Sequence, residues 1–530
     1  METPATQQTR RIALNTVIFS IATGLSRIAG LIREVVASSY FGTSGPFSAF
    51  TIAFQVPNLI RALVADSALS AAFVPVFTEL LEQRKRKEAF ELAGALFGLI
   101  LVALGAVTIV FIALAPLIIP PLTGSKFTPE LDDLTVGLTR VLFPIVILLG
   151  LNGLVVGILN AYDHFTIPAI SPVVWNLVII VGLVALKPLF HGPNQVYAYA
   201  IAILLGTAAQ FAMCLPVLKR VGFHLHISFH WRDPRIRHVL VLMLPVTVGL
   251  GLINFDALIN STLGSLVSES APAAIDRAFR LYMLPQGIFS VAVATVLFPA
   301  LSRFAARRDY DGLRRTSGNG VRQIALLLIP AAIFTAVLAE PLTRLVYQRG
   351  EFGESSTDEV SEALFWFSFS LPFSGANLLL TRTFFSLQRP WFPTALAGGS
   401  LVVNLAVSLA LYEPLGIAGL VIGTAVASAA MTVAQATFLR RQLHGFEIGR
   451  TLRAVAGILV GGALLGVVSY EVWDLLDEAL GRSLMGQLVS VLSALALGSA
   501  VYAATVLALR IPEAHQIIGL IRGRMGRGAS

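Results

Sequence analysis

The sequence predicts an all-α polytopic membrane protein: about fourteen transmembrane helices, in two six-helix lobes related as a parallel repeat, plus two C-terminal helices. Three observations predict it. Apolar residues fill 56% of the 530 positions and charged residues 13%, too little charge to cover a soluble surface. Apolar runs of membrane-spanning length recur along the whole chain. Local motifs recur at a single offset of 225 residues.

A helix crossing the hydrocarbon core needs about 20 mostly apolar residues. Runs of that kind begin near Ile12, Phe47, Ala89, Leu134, Ile167, Val196 and Val239. They continue near Ala271, Ile324, Val360, Phe392, Leu415, Ala454 and Leu484. A membrane β-barrel would instead show alternating segments of about 10 residues, and stretches such as 96–118 and 454–470 do not alternate. The first run lacks a small-residue cleavage site, so it reads as a retained span.

Lys and Arg in short loops set the orientation of such a chain. With the N-terminus inside, the inner loops hold Arg84, Lys85, Arg86 and Lys87, then Lys219, Arg220, Arg232, Arg235 and Arg237. Arg303, Arg307, Arg308, Arg314 and Arg315 follow, then Arg440, Arg441 and Arg450, and a basic tail. The opposite loops are acidic, with Glu130, Asp132, Asp133, Glu351, Glu354, Asp358, Asp474, Asp477 and Glu478. Both termini are therefore expected in the cytoplasm. The same asymmetry accounts for the formal charge of +8 without a nucleic-acid partner.

The repeat gives the domain boundaries. Ala53-Phe54 opens a segment ending in Phe73-Val74-Pro75, and Ala278-Phe279 opens one ending in Phe298-Pro299. Ala53 and Ala278 stand 225 positions apart, as do Pro168 and Pro393 in two similar loops. That offset spans six helices, an even number, so both copies share one orientation. The expected lobes are residues 1–220 and 221–441, with two extra helices and a basic tail over 442–530. Substrate sites in repeat-built transporters lie between the repeats near the midplane.

Ionisable residues inside spans cost about 2.5–3.5 kcal/mol each on insertion scales, so each calls for a reason. The first span holds Arg27, Arg33 and Glu34, the second Arg61 followed by Asp66, and the eighth Asp276, Arg277 and Arg280. Arg27, Arg61 and Arg280 could converge on one cavity, where planar guanidinium groups suit a phosphate-bearing ligand. The alternative is snorkelling, or pairing with Glu34, Asp66 and Asp276. Asp256 is a lone carboxylate in the seventh span. With Asn404 and Thr424 it could hold a proton or a hard cation, or it could be a hydrogen-bonded buried acid. Glu340 and Arg344, four apart, read as an interfacial pair.

Enzyme chemistry finds little support. The single Cys214 excludes a disulfide scaffold, and the His residues lack zinc spacing. Acidic pairs for Mg²⁺ occur only in the outer loops, and no phosphate loop for direct ATP drive appears.

Five stretches carry a family resemblance: Ser26-Arg-Ile-Ala-Gly-Leu-Ile-Arg33, Ala53-Phe-Gln-Val-Pro-Asn-Leu-Ile-Arg61, Ala71-Ala-Phe-Val-Pro75, Arg280-Leu-Tyr-Met-Leu-Pro285 and Thr295-Val-Leu-Phe-Pro-Ala-Leu-Ser302. Arg349-Gly-Glu-Phe352 also fits. Through about the first twelve spans the chain resembles the MurJ-type (MviN) lipid II flippases, within the multidrug/oligosaccharidyl-lipid/polysaccharide exporter superfamily. The resemblance implies fourteen helices and alternating access. The implied cargo is undecaprenyl-diphosphate-linked peptidoglycan precursor, moved to the outer leaflet of the bacterial inner membrane. It places the family's cavity arginines on Arg27, Arg33, Arg61 and Arg280, gives the last two helices a groove for the prenyl tail, and implies membrane lipids and cell-wall synthesis machinery as partners.

Three positions depart from the pattern of some members: Ser48 and Met283 stand where acidic or amide residues are usual, and Gln388-Arg389 replaces Gln-Asp. No cofactor is implied, and a cation at Asp256 or the membrane potential is the expected drive, with Glu34 a gating residue. The competing readings are an exporter of another polyprenyl-linked oligosaccharide, a membrane-embedded lipid-phosphate enzyme, and a non-transporting scaffold working through the basic loop at about 303–322.

Overall fold

The computed structural model describes residues 4–64, 67–223, 228, 233–443, 445 and 447–516. Those residues form seventeen α-helices and short 3-10 turns, with no strand among them. In chain order the first nine are α1 (Pro4–Phe41), α2 (Gly45–Val64), α3 (Ser67–Glu82), α4 (Arg86–Ile118), α5 (Pro129–Leu142), α6 (Ile145–Ala161), α7 (Thr166–Leu186), α8 (Val196–Arg220) and α9 (Pro234–Val267). Then come α10 (Ala271–Ala306), α11 (Tyr310–Val337), α12 (Ala339–Tyr347), α13 (Glu354–Ser368), α14 (Leu371–Ser386), α15 (Trp391–Gln442), α16 (Ile448–Leu480) and α17 (Leu484–Ala508).

Among the described residues ten helices are long and apolar enough to cross a membrane, or eleven if α13 and α14, bent by 49°, form one span. The fourteen runs map onto these helices. α15 is 52 residues long and holds two runs, and α1 and the α2–α3 pair supply the others. Gly416 divides α15, because its φ of 56° and ψ of −129° lie where residues with a Cβ are strained. The fourth and tenth runs are both interrupted, at Phe143–Pro144 and at Phe369–Ser370. These breaks fall at corresponding places of the repeat.

By packing, the chain divides into two compact units, residues up to 273 with 349–352, and residues 274–348 with 353–530. The first unit is α1–α9 with the first residues of α10. One core gathers Phe73, Phe77, Leu92, Phe143 and Leu154. A second stacks Phe41, Phe47, Phe50 and Tyr199, with Phe50 and Tyr199 ring centres 4.7 Å apart. α9 is fastened at several heights. Arg235 meets Glu88 of α4 at 2.9 Å, Asn58 of α2 donates to Asn254 at 3.0 Å, and the Gly124 N–H donates to Ser265 Oγ at 2.6 Å. The sequence repeat divides the chain at 220, whereas packing groups α9 with the helices before it.

The second unit runs from Ala274 in α10 through α17. α16 and α17 pair along their length and lie on α11, where the Tyr502 hydroxyl donates to the Leu326 carbonyl at 2.6 Å. The basic stretch 303–322 is no loop: α10 runs to Ala306, a short turn follows, and α11 starts at Tyr310. Its last cation, Arg322, is buried against Glu513 and Glu447.

Candidate functional site

The cationic residues of the spans sit in different settings. Arg27 is exposed on α1. Two turns along, Arg33 is ion-paired with Glu34, the two side chains being 11% and 7% exposed. Its guanidinium also lies 4.7 Å from the ring centre of Trp175 on α7. The pairing with Glu34 that the sequence offered as an alternative is therefore present for Arg33.

Arg61 is aimed by an amide. Its Nε and Nη2 donate to Asn58 Oδ1 at 3.0 and 2.8 Å, and Asn58 Nδ2 donates in turn to Asn254 Oδ1 on α9. Arg61 follows Asn58 by three positions, so helix geometry stacks them on one face, just past Pro57. Asp66, the partner suggested by sequence, lies outside the described residues. On α9, Asp256 Oδ2 accepts from Asn260 Nδ2 at 3.4 Å, one turn away.

In the second unit Arg280 is held by Asp276, with Nε–Oδ2 at 2.8 Å, and keeps 36% of its side chain exposed. Arg277 is buried at 1% exposure and lies beside the Tyr347 ring, with 5.9 Å from guanidinium to ring centre. Snorkelling is thereby excluded for Arg277. Asn404 is buried, and its Oδ1 accepts from Ser408 at 3.1 Å. The halves of α15 close so tightly here that a Cβ on Gly423 would fall 2.7 Å from Asn404 Oδ1. Thr424 follows directly on that glycine. Asn404 and Thr424 are thus neighbours in this unit, while Arg27, Arg33, Glu34, Arg61 and Asp256 all belong to the other.

The three departures each have a defined place. Ser48 is buried and its Oγ accepts from the Ala273 N–H at 3.2 Å, in the first turn of α10. An acidic residue there would face the same helix N-terminus, so the hydroxyl supplies the neutral version of that contact. Met283 is 48% exposed. Gln388 and Arg389 are exposed in the turn between α14 and α15, where Gln388 has a φ of 58°.

Outside the spans, hydrogen bonds from Arg235 hold the Asp233 carboxyl below the ordinary carboxylate range. Glu340 and Arg344 pair as the spacing indicates, and Arg344 also reaches Asp477 of α16 at 3.3 Å. Asp477 is therefore a packed partner, not the solvated loop acid its sequence suggests. Sequence reasoning missed Asn58, although its spacing from Arg61 was legible. It also missed Trp175, which no spacing marks. Among the described residues no group of three His, Cys, Asp or Glu side chains is placed to hold a metal ion.

The family described as lipid II flippase MurJ matches residues 37–489. The chain belongs to the MurJ family. A MurJ lipid II flippase of Burkholderia cenocepacia is 31% identical over 407 residues, 76% of this chain and 78% of that protein. A probable MurJ lipid II flippase of Rhizobium meliloti is 28% identical over 513 residues, covering 95% and 94%. In fold, a solved MurJ structure in an inward closed conformation has a TM-score of 0.76 at 22% identity, covering 93% of this chain and 99% of that one. An inward-facing multidrug transporter of the MATE family follows at 0.68 and 17% identity, covering 81% and 98%. The MurJ match takes in Arg61 and Arg280. It begins just after Arg27, Arg33 and Glu34.

Proposed function

We propose that this chain moves lipid II, the undecaprenyl-diphosphate-linked peptidoglycan precursor, from the inner to the outer leaflet of the bacterial cytoplasmic membrane by alternating access. It makes and breaks no covalent bond. The observation that carries the reading is membership of the MurJ family over residues 37–489. The intramembrane arginines give it a physical route.

Arg27, Arg33, Arg61 and Arg280 bind the diphosphate and headgroup. Guanidinium groups meet phosphate oxygens bidentately, and each charge-assisted hydrogen bond contributes about 1.5–3 kcal/mol. Moving a two-state equilibrium from 1:99 to 99:1 takes about 5.5 kcal/mol of differential binding. Two or three such bonds made in only one state supply it, so the anion itself can draw the lobes 1–220 and 221–441 together.

The return step uses the membrane potential, worth about 2.3 kcal/mol per elementary charge per 100 mV, or a cation held by Asp256 with Asn404 and Thr424. Glu34 acts in gating by releasing Arg33. The prenyl tail lies along the last two helices, in contact with membrane lipids. Both termini are cytoplasmic, and the cell-wall synthesis machinery receives the flipped lipid.

The test is affinity. Purified wild type binds lipid II, Arg61→Ala binds it at least tenfold more weakly, and both unfold at the same temperature. Equal affinity in the two proteins removes Arg61 from the headgroup site.

A further inference from the structure

We infer that Trp175 is a positioning residue for lipid II binding, holding the Arg33 guanidinium at a fixed place on α1. The inference rests on the transport reading above and deepens it. Arg33 Cζ lies 4.7 Å from the centre of the Trp175 ring, within reach of a cation–π contact. Tryptophan has the ring best suited to that contact, and the pair is largely shielded, Arg33 being 11% exposed.

The indole is itself fixed. Its Nε1–H donates to Thr207 Oγ1 of α8 at 3.1 Å, and the Thr207 hydroxyl donates to the Ile203 carbonyl at 2.8 Å. A ring tied at its N–H presents one face in one direction. The neighbouring Asn176 fastens the same turn of α7 to α1, donating to the Ser26 carbonyl at 3.4 Å and to Pro172 at 2.9 Å. Helical side chains lean toward the N-terminus of their own helix. The Arg33 guanidinium accordingly reaches back toward the level at which Asn176 holds α1.

Glu34, on the same helix, is ion-paired with this cation. Glu34 offsets the charge of Arg33, whereas Trp175 offers a neutral face that leaves the charge in place for an anion. A flexible arginine would lose side-chain entropy on binding a diphosphate. Stacking on a fixed ring removes part of that loss in advance. Leucine at 175 would keep apolar packing and lose the contact.

The test is a double-mutant cycle in the full-length protein in nanodiscs, with lipid II as the probe and thermal unfolding measured on every variant. Trp175→Leu is expected to weaken lipid II binding about tenfold when Arg33 is present, and to weaken it no further in the Arg33→Ala background. Trp175→Phe, which keeps an aromatic face, is expected to recover most of the affinity. Thr207→Val tests the same chain of contacts without touching the ring, and is expected to fall between wild type and Trp175→Leu.

Equal losses from Trp175→Leu in both backgrounds would mean a general structural role and overturn the inference, as would Trp175→Phe behaving like Trp175→Leu. If Arg61→Ala abolishes binding while Arg33→Ala leaves it unchanged, the inference fails and the transport reading stands. If neither arginine matters, both fail.

Discussion

Arg61, half-buried in α2, shows how neighbouring amides can fix the direction of a cationic side chain in a membrane helix. Asn58 accepts two of its hydrogen bonds and is in turn held by Asn254, so the direction of the guanidinium is set by an amide chain. Asn58→Ala is expected to weaken lipid II binding about three- to tenfold with the arginine still present, since one or two hydrogen bonds of about 1 kcal/mol each set its orientation. Titration of the purified variant against lipid II checks this, and unchanged affinity would show that Asn58 does not aim Arg61. A different logic governs Arg322, which is buried with Glu447 and Glu513. Replacing it by Met strands two carboxylates. The expected cost is about 3–5 kcal/mol of stability, largely restored by adding Glu447→Gln and Glu513→Gln. Denaturation of the single and triple variants decides, and a triple variant no better than the single one would contradict it.

Among the elements, α15 and the α9 N-terminus carry the sharpest expectations. A Cβ on Gly423 would lie 2.2 Å from Ser408 Oγ, with the Asn404 carbonyl 3.0 Å away. Gly423→Ala should therefore cost about 1–3 kcal/mol by forcing the halves of α15 apart, seen as a lower unfolding temperature. No change would mean that the turn relaxes freely. At the start of α9, Asp233 caps the helix and meets Arg235 at 2.6 Å. Its carboxyl titrates lower folded than unfolded, so its contribution to stability is present above the ordinary carboxylate range. That contribution is lost as pH falls through the depressed value. Thermal unfolding followed from pH 7 down to about 3 should fall less steeply in Asp233→Asn than in wild type. Parallel curves would show that the cap does not matter.

At the scale of the whole molecule, the long apolar runs and the repeat were legible because each span must satisfy its backbone internally and be apolar over about 20 residues. Breaks inside runs were less so. The apolar pattern runs on through Phe143–Pro144 and Phe369–Ser370, so hydropathy hides both interruptions, although Pro144 and Pro372 stand beside them. The 303–322 stretch reads as a loop because arginines crowd it, yet helix ends tolerate exposed cations, and Arg322 is buried by acids 125 and 191 positions away. The arginines themselves were legible from cost alone. Their charged partners Glu34 and Asp276 were legible as nearby acids, whereas the aromatic one was not, because Trp175 meets Arg33 only once α7 packs on α1. The central claim is that this chain carries lipid II across the membrane on intramembrane arginines. The most direct measurement is transbilayer movement of lipid II in bacteria depleted of their own flippase and supplied with this chain, comparing wild type with equally expressed Arg61→Ala. Movement with wild type and none with Arg61→Ala is the expected result. Movement with neither, or equal movement with both, would contradict it.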